Sequence, residues 1–88
     1  METKNIKQVF EEAGYEIRSY SGRAMYGREC LGVDTEDSPW TVATNCITTC
    51  VALEIDFDDF IDSVGKPRTD SMGRGYILYF PDVVWEDE

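Results

Sequence analysis

Glycine and proline divide the apolar residues of this sequence into short runs, which limits the chain to short helices and strands. Gly14, Gly65 and Gly75 bound such runs, and Pro39 and Pro81 mark two further boundaries. A chain of 88 residues buries only roughly 60–65% of its unfolded surface, so it supports one small core. We therefore expect a single domain over residues 1–88, with no segment long and apolar enough to cross a bilayer.

Two predicted helices have clear ends. Residues Thr3–Ala13 repeat apolar side chains at the i, i+3, i+4, i+7 spacing of an amphipathic helix, with Thr3 as the expected N-cap and Gly14 as the stop. A shorter helix is capped by Asp56 and ends at Gly65. Each helix has one apolar stripe, so each is expected to pack on the core by that stripe.

A further helix is predicted between these two, with Ser38 as its N-cap and Pro39 at its first position. The segment is apolar around most of its circumference, so we expect it to be mostly buried. Its β-branched threonines lower its helix propensity. A strand over residues 48–55 is therefore the competing interpretation.

Three segments have the composition or alternation of β-strands: residues 15–20, 29–34 and 76–80. Residues 66–75 are predicted to be a connector of turns, and residues 82–88 an edge segment after Pro81. The order is then α-β-β-α-α-β. The sequence predicts an α+β fold, a small three-stranded antiparallel sheet with two or three helices packed on one face, because every apolar stripe then reaches the same core.

The absence of histidine excludes imidazole catalysis and most zinc sites. The three cysteines are Cys30, Cys46 and Cys50, an odd number without CxxC spacing, and no secretion signal precedes them. We interpret them as buried small hydrophobic residues in a reducing cytoplasm, although the four-residue spacing of Cys46 and Cys50 also fits half of a metal site or a redox pair.

Sequence motifs for phosphate binding are also missing. There is no GxxxxGK[ST] and no GxGxxG. Residues 54–62 resemble a calcium loop, but Phe57 and Phe60 stand where ligands or the central glycine belong. The sequence therefore predicts no cofactor, no metal and no enzyme activity.

The net charge is −10, and most of it lies after Leu53: residues 54–88 carry ten acids against three bases. Such a chain does not bind nucleic acid through general electrostatic attraction. The short helix buries its apolar stripe and thereby turns its acids outward. These acids form either a solvated helix face that serves solubility or, the interpretation we adopt, an acidic surface that binds a basic partner. Its residues are Glu54, Asp56, Asp58, Asp59 and Asp62, with the tail residues Asp82, Glu86, Asp87 and Glu88.

Arginines next to glycines offer a different site. Arg23, Arg28 and Arg74 lie in or beside glycine-bearing loops, and a third strand antiparallel to the first would bring these loops to one end of the sheet. Glycine lets backbone N–H groups approach an anion, so this end is an alternative site for a small anion or nucleotide. Pairing of these arginines with nearby acids is the simpler interpretation.

The small size, strong acidity, lack of histidine and small α+β pattern together resemble a type of protein: the small inhibitors that bacteriophages encode against host defences, including acidic anti-CRISPR proteins. The resemblance is one of type across the whole chain and transfers no functional residue. It implies a stoichiometric inhibitor in the host cytoplasm that mimics nucleic acid and blocks a basic site on a nuclease or surveillance complex.

Two alternatives stay open beside this inhibitor hypothesis. One is the small-anion or nucleotide-binding module described above. The other is a homodimeric structural accessory protein in which exposed Trp40, Tyr20 or Trp85 forms the contact. No membrane partner is expected.

Overall fold

The computed structural model describes residues 2–21 and 28–85. Within these ranges the chain forms three helices and four strands. The elements are α1 (Thr3–Glu12), β1 (Glu16–Tyr20), β2 (Cys30–Thr35), α2 (Pro39–Ala52), α3 (Phe57–Val64), β3 (Arg68–Met72) and β4 (Gly75–Val84). The α+β class is as predicted, but the order is α-β-β-α-α-β-β.

The prediction of three strands was wrong, because the connector before β4 contains a fourth strand. All pairs in the sheet are antiparallel, and the strand order is β1-β2-β4-β3. The sequence of β3, RTDSM, has little of the β-branched or aromatic character of a strand. It pairs with β4 because the loop between them is short: Met72 lies opposite Gly75, and Gly73 takes a φ of +54°, which glycine adopts without strain.

The end of β4 also differs from the prediction. Pro81 does not end the strand, since β4 continues to Val84, and beyond Tyr79, the partner of Arg68, only β2 pairs with it. Leu31 pairs with Phe80 and the adjacent Cys30 pairs with Val84, so β4 bulges at this point. Proline lacks an N–H group, and a bulge is where an interior strand tolerates that loss.

Most helix boundaries follow the predicted signals. The Oγ of Ser38 accepts from Thr41 N at 3.3 Å, Pro39 opens α2, and an Asp56 carboxylate oxygen accepts from Asp58 N at 2.9 Å. The competing strand over residues 48–55 does not form. Thr3 is the one wrong cap: the N-cap of α1 is Glu2, which makes no side-chain capping hydrogen bond.

The core lies between the helices and one face of the sheet. The Phe10 ring of α1 is at its centre, 5.6 Å from the Phe60 ring of α3 and 5.3 Å from the Phe80 ring of β4, measured between centroids. Leu31 and Val33 of β2 are fully buried in the same cluster. The three helices therefore share one core, as the apolar stripes predicted.

The opposite face of the sheet has a small cluster of its own. Tyr20 lies across it, with its ring centroid 5.0 Å from that of Tyr79, and its hydroxyl donates to the carboxylate of Asp70. This hydrogen bond, together with burial, raises the pKa of Tyr20 to about 12. Gly32 leaves room for the tyrosine, since a Cβ there would meet Tyr20 Cβ at 2.8 Å.

We predict that Gly32→Ala destabilises the protein by about 1–3 kcal/mol, the usual cost of forcing a methyl group into a packed site. Urea unfolding measures this change. In the Tyr20→Gly background the same substitution should cost much less, because the Cβ atom that the new methyl group would meet is gone. Equal costs in both backgrounds would show that the tyrosine does not determine the need for glycine.

Candidate functional site

The structure places Glu54, Asp56, Asp58, Asp59 and Asp62 on α3 and the turn before it, and we call these five residues the acidic edge. All five side chains are exposed. The helix has eight residues, about 12 Å of length at about 1.5 Å per residue, so the carboxylates are concentrated in a small region. The five residues are therefore exposed and near one another in the chain, while their predicted role in binding stays a prediction.

Some of these acids also stabilise the fold locally. Asp56 caps α3, and Asp58 and Asp59 lie in its first turn, where negative charge interacts favourably with the helix dipole. Asp62 lies in the last turn, where a carboxylate opposes the dipole. Glu54 has a φ of +58°, a left-handed conformation that favours glycine. Local stability therefore accounts for three members of the edge but not for Asp62 or Glu54.

Cations do not neutralise the acidic edge within the described part of the chain. Ion pairs there join Lys4 to Glu2 at 3.4 Å and Arg18 to Asp34 at 3.2 Å, both far from α3 in sequence. No member of the edge forms an ion pair with another described residue. Its charge is therefore available to a partner.

Asp82 lies apart from the N-terminal end of the acidic edge. Its carboxylate is beside Gly65, at the C-terminal end of α3, where a Cβ on the glycine would come within 2.6 Å of it. It also lines an open cleft, and it shares this cleft with two cations, Lys66 and Arg68. The other predicted tail residues, Glu86, Asp87 and Glu88, lie outside the described residues.

The expected arginine and glycine site is not assembled. β4 runs parallel to β1, not antiparallel as that site required, because both strands flank β2 in antiparallel register. Arg28 precedes β2 at one end of the sheet, and Arg74 is in the loop before β4 at the other end. Arg23 lies outside the described residues.

The predicted internal pairing of the arginines is also wrong for those that the structure describes. Arg28 and Arg74 form no ion pair with another described residue, and Asp34 pairs instead with Arg18. Asp70 receives the hydroxyl of Tyr20.

Sequence reasoning missed the outer surface of α2. This helix was expected to be mostly buried, yet Trp40 is 85% exposed, Val51 72% and Ile47 42%. With Thr44, these residues form one stripe at spacings of four, three and four, which we call the α2 stripe. The spacing and the lack of any charge from Ser38 to Leu53 were visible signals, but the sequence did not show which side of the helix would be covered.

A hydrogen-bonded tyrosine helps to set the orientation of α2. The Tyr15 hydroxyl accepts from Asn45 Nδ2 at 2.7 Å and donates to Asp37 at 2.9 Å. These bonds hold the Asn45 side of the helix against the start of β1, while Val42 and Cys46 enter the core. The α2 stripe lies on the side of the helix that faces neither β1 nor the core.

The threonines of α2 lower the cost of removing water from this surface. The Thr44 hydroxyl donates to Trp40 O at 3.0 Å, and the Thr48 hydroxyl donates to Thr44 O at 3.2 Å. A polar group that keeps its hydrogen bond is much cheaper to bury than one that loses it. The α2 surface is thus uncharged and partly apolar, and removing water from it costs little free energy.

An apolar cavity of about 100 Å³ opens between α2 and α3. Its lining includes Ala43 and Cys46 of α2, and Phe57, Ile61 and Val64 of α3. Ile61 is 43% exposed, so the apolar surface continues from the cavity to solvent. Polar side chains do not converge there, so its chemistry is that of a hydrophobic contact.

The cysteines are placed as the sequence predicted. All three are free and buried. Burial raises the pKa of Cys46 to about 12, and it also raises the pKa of Cys30 and of Cys50. Among the described residues, no group of three or more histidine, cysteine, aspartate or glutamate side chains is arranged to hold a metal ion. The half-metal-site interpretation of Cys46 and Cys50 therefore gains no support.

No family model, curated protein or solved structure matches this chain. In the described ranges, no helix has the length and apolar character needed to span a membrane.

We predict that all three thiols of the native protein resist a thiol reagent at pH 8, because the reactive thiolate is suppressed by burial. Ellman's reagent measures this reaction, and denaturant should release all three thiols. A fast-reacting thiol in the native protein would contradict the buried placement.

Two single substitutions should have opposite effects on stability. Asp56→Ala removes the α3 cap and should cost about 1 kcal/mol, whereas Asp62→Asn removes a charge that opposes the dipole and should add about 0.3–1 kcal/mol. Thermal unfolding at low ionic strength measures both. Destabilisation by Asp62→Asn would mean that its carboxylate has a structural partner.

Proposed function

We propose that this protein is a stoichiometric inhibitor that binds a basic, nucleic-acid-binding protein through the acidic edge and acts in the cytoplasm. The observation that carries this proposal is the set of five exposed carboxylates on α3 and its preceding turn, none of which pairs with a described cation. The proposal is for a binding protein and not for an enzyme. Its target is a nuclease or surveillance complex of the host, as the resemblance in type implies.

The geometry of α3 suits such a target. Side chains four residues apart on a helix have Cβ atoms about 5–6 Å apart, so Asp58 and Asp62 form one row, with Asp59 beside it. Arginines that normally contact phosphates can form charge-assisted hydrogen bonds with these carboxylates. An uncompensated charge of −10 also speeds encounter with a cationic protein.

The cost of the acidic edge to the fold supports the same proposal. Asp62 opposes the helix dipole, and Glu54 occupies a left-handed position better suited to glycine. A protein that needed only solubility could place its acids where they cost nothing. Binding explains why carboxylates are present at these two positions.

The small-anion alternative has less support. It needed Arg28 and Arg74 at one end of the sheet, and the strand order separates them.

The homodimer alternative needed an exposed aromatic residue. Trp40 is exposed, but Tyr20 packs on Tyr79, and Trp85 is partly buried beneath the Lys7 ammonium, 3.9 Å from its ring centroid.

Capture from a nuclease-treated bacterial lysate tests the proposed function. The immobilised protein should retain a basic protein at low salt and release it at high salt or on addition of duplex DNA. With the purified target, the triple variant Asp58→Asn, Asp59→Asn, Asp62→Asn should weaken binding roughly tenfold, as three exposed charge pairs together imply.

The matched control is the triple variant Glu11→Gln, Glu12→Gln, Glu16→Gln, which removes three exposed charges from α1 and β1 and should leave the affinity nearly unchanged. Equal weakening by both variants would indicate a general effect of charge. A complex that tolerates salt and also binds DNA normally would refute nucleic-acid mimicry.

A further inference from the structure

We infer that the groove between α2 and α3 docks an amphipathic, cationic segment of the partner protein, whose apolar side chain enters the cavity while its arginines or lysines contact Asp58 and Asp62. This inference rests on the proposed function and names the chemistry of the partner. It depends on three features: the α2 stripe, the cavity that both helices line and the acidic edge.

Ile61 joins the cavity to the acidic edge, and on α2 the cavity residue Ala43 has the stripe residue Ile47 four positions after it on the same face. Ile61 lines the cavity, and on the same helix Asp58 precedes it by three residues and Asp62 follows it directly. The apolar floor of the groove is thus bordered by carboxylates on the α3 side. On the other side, α2 carries no charged residue at all. The groove is therefore apolar in the middle and acidic along one rim.

This charge pattern indicates which kind of partner segment fits the groove. A segment with one apolar face can cover Trp40 and Ile47 and seat a side chain in the cavity of about 100 Å³. Its flanking cations then reach the acidic rim, and a cation can also lie on the exposed Trp40 ring. Since the hydroxyls of Thr44 and Thr48 are already bonded within α2, covering them leaves no donor unsatisfied.

A second copy of this chain fits the groove poorly. The outer side of a 14-residue helix offers a footprint of roughly 200 Å², about 21 Å by 10 Å. A stable interface needs about 800 Å² from each partner. Enlarging the contact from α2 towards α3 would bring the acidic rims of two molecules, each of charge −10, close together. With a cationic partner, the same enlarged contact brings opposite charges together, and these attract.

A panel of synthetic helical peptides tests the inference. The first carries leucines on one face with flanking arginines, the second replaces the leucines with serine, and the third replaces the arginines with glutamate. We expect the first peptide alone to shift the tryptophan emission of the protein to shorter wavelength, with at least tenfold tighter binding than the others. The Trp40→Phe variant should lose this shift.

Variants of the groove then locate the binding site. Ala43→Leu fills the cavity, so it should raise the melting temperature of the protein and weaken binding of the first peptide at least tenfold. Because that variant can misfold, Val51→Ser provides a second test at an exposed position, where we expect weaker binding and an unchanged fold. The matched control is Thr3→Ser on α1, which should leave peptide binding unchanged.

The outcomes separate this inference from the proposed function. Suppose that the charge variants of the acidic edge weaken binding of the captured target, whereas Ala43→Leu and Val51→Ser do not. The groove inference is then wrong and the proposed function stands. Equal binding of all three peptides, or of none, also overturns the inference. Sedimentation that shows dimers disrupted by Val51→Ser would assign the groove to a second copy instead.

Discussion

The contact of Phe10 with Phe60 and Phe80 is the interaction on which the rest of this structure depends. It joins α1, α3 and the central strand β4 in the larger of the two buried apolar clusters that the described residues form. Because Phe60 must face inward, Asp58, Asp59 and Asp62 must face solvent. The outward orientation of these three acids is therefore a direct consequence of core packing.

The same core leaves α2 only partly covered. Val42, Cys46 and Cys50 fill the space above the sheet, and Tyr15 holds the next side of the helix through Asn45. Among residues 2–21 and 28–85, no other element covers the α2 stripe, since Trp40 and Val51 are largely exposed. An uncharged, partly apolar helix surface beside a concentrated row of carboxylates is an unusual pairing for a chain of net charge −10, and it is the basis of the proposed interaction surface.

Local signals were enough for part of the fold and of the site. Asp56 and Gly65 bound α3 as predicted, since capping and termination depend on residues adjacent in sequence. The position of β3 was not predictable in this way, because RTDSM forms a strand only when β4 lies beside it. The acidic edge needed one helix alone, so it was found. The α2 stripe and the cavity needed the arrangement of two helices, so they were missed.

The sequence by itself determined the α+β class, the positions of the helices and the outward direction of the α3 acids, because each of these follows from spacing and composition within one element. Only the tertiary structure decided the fourth strand, the separation of Arg28 from Arg74 and the exposure of Trp40. These features depend on which strand pairs with which and on which side of α2 meets the core. Such contacts join residues far apart in the chain, and no local pattern specifies them.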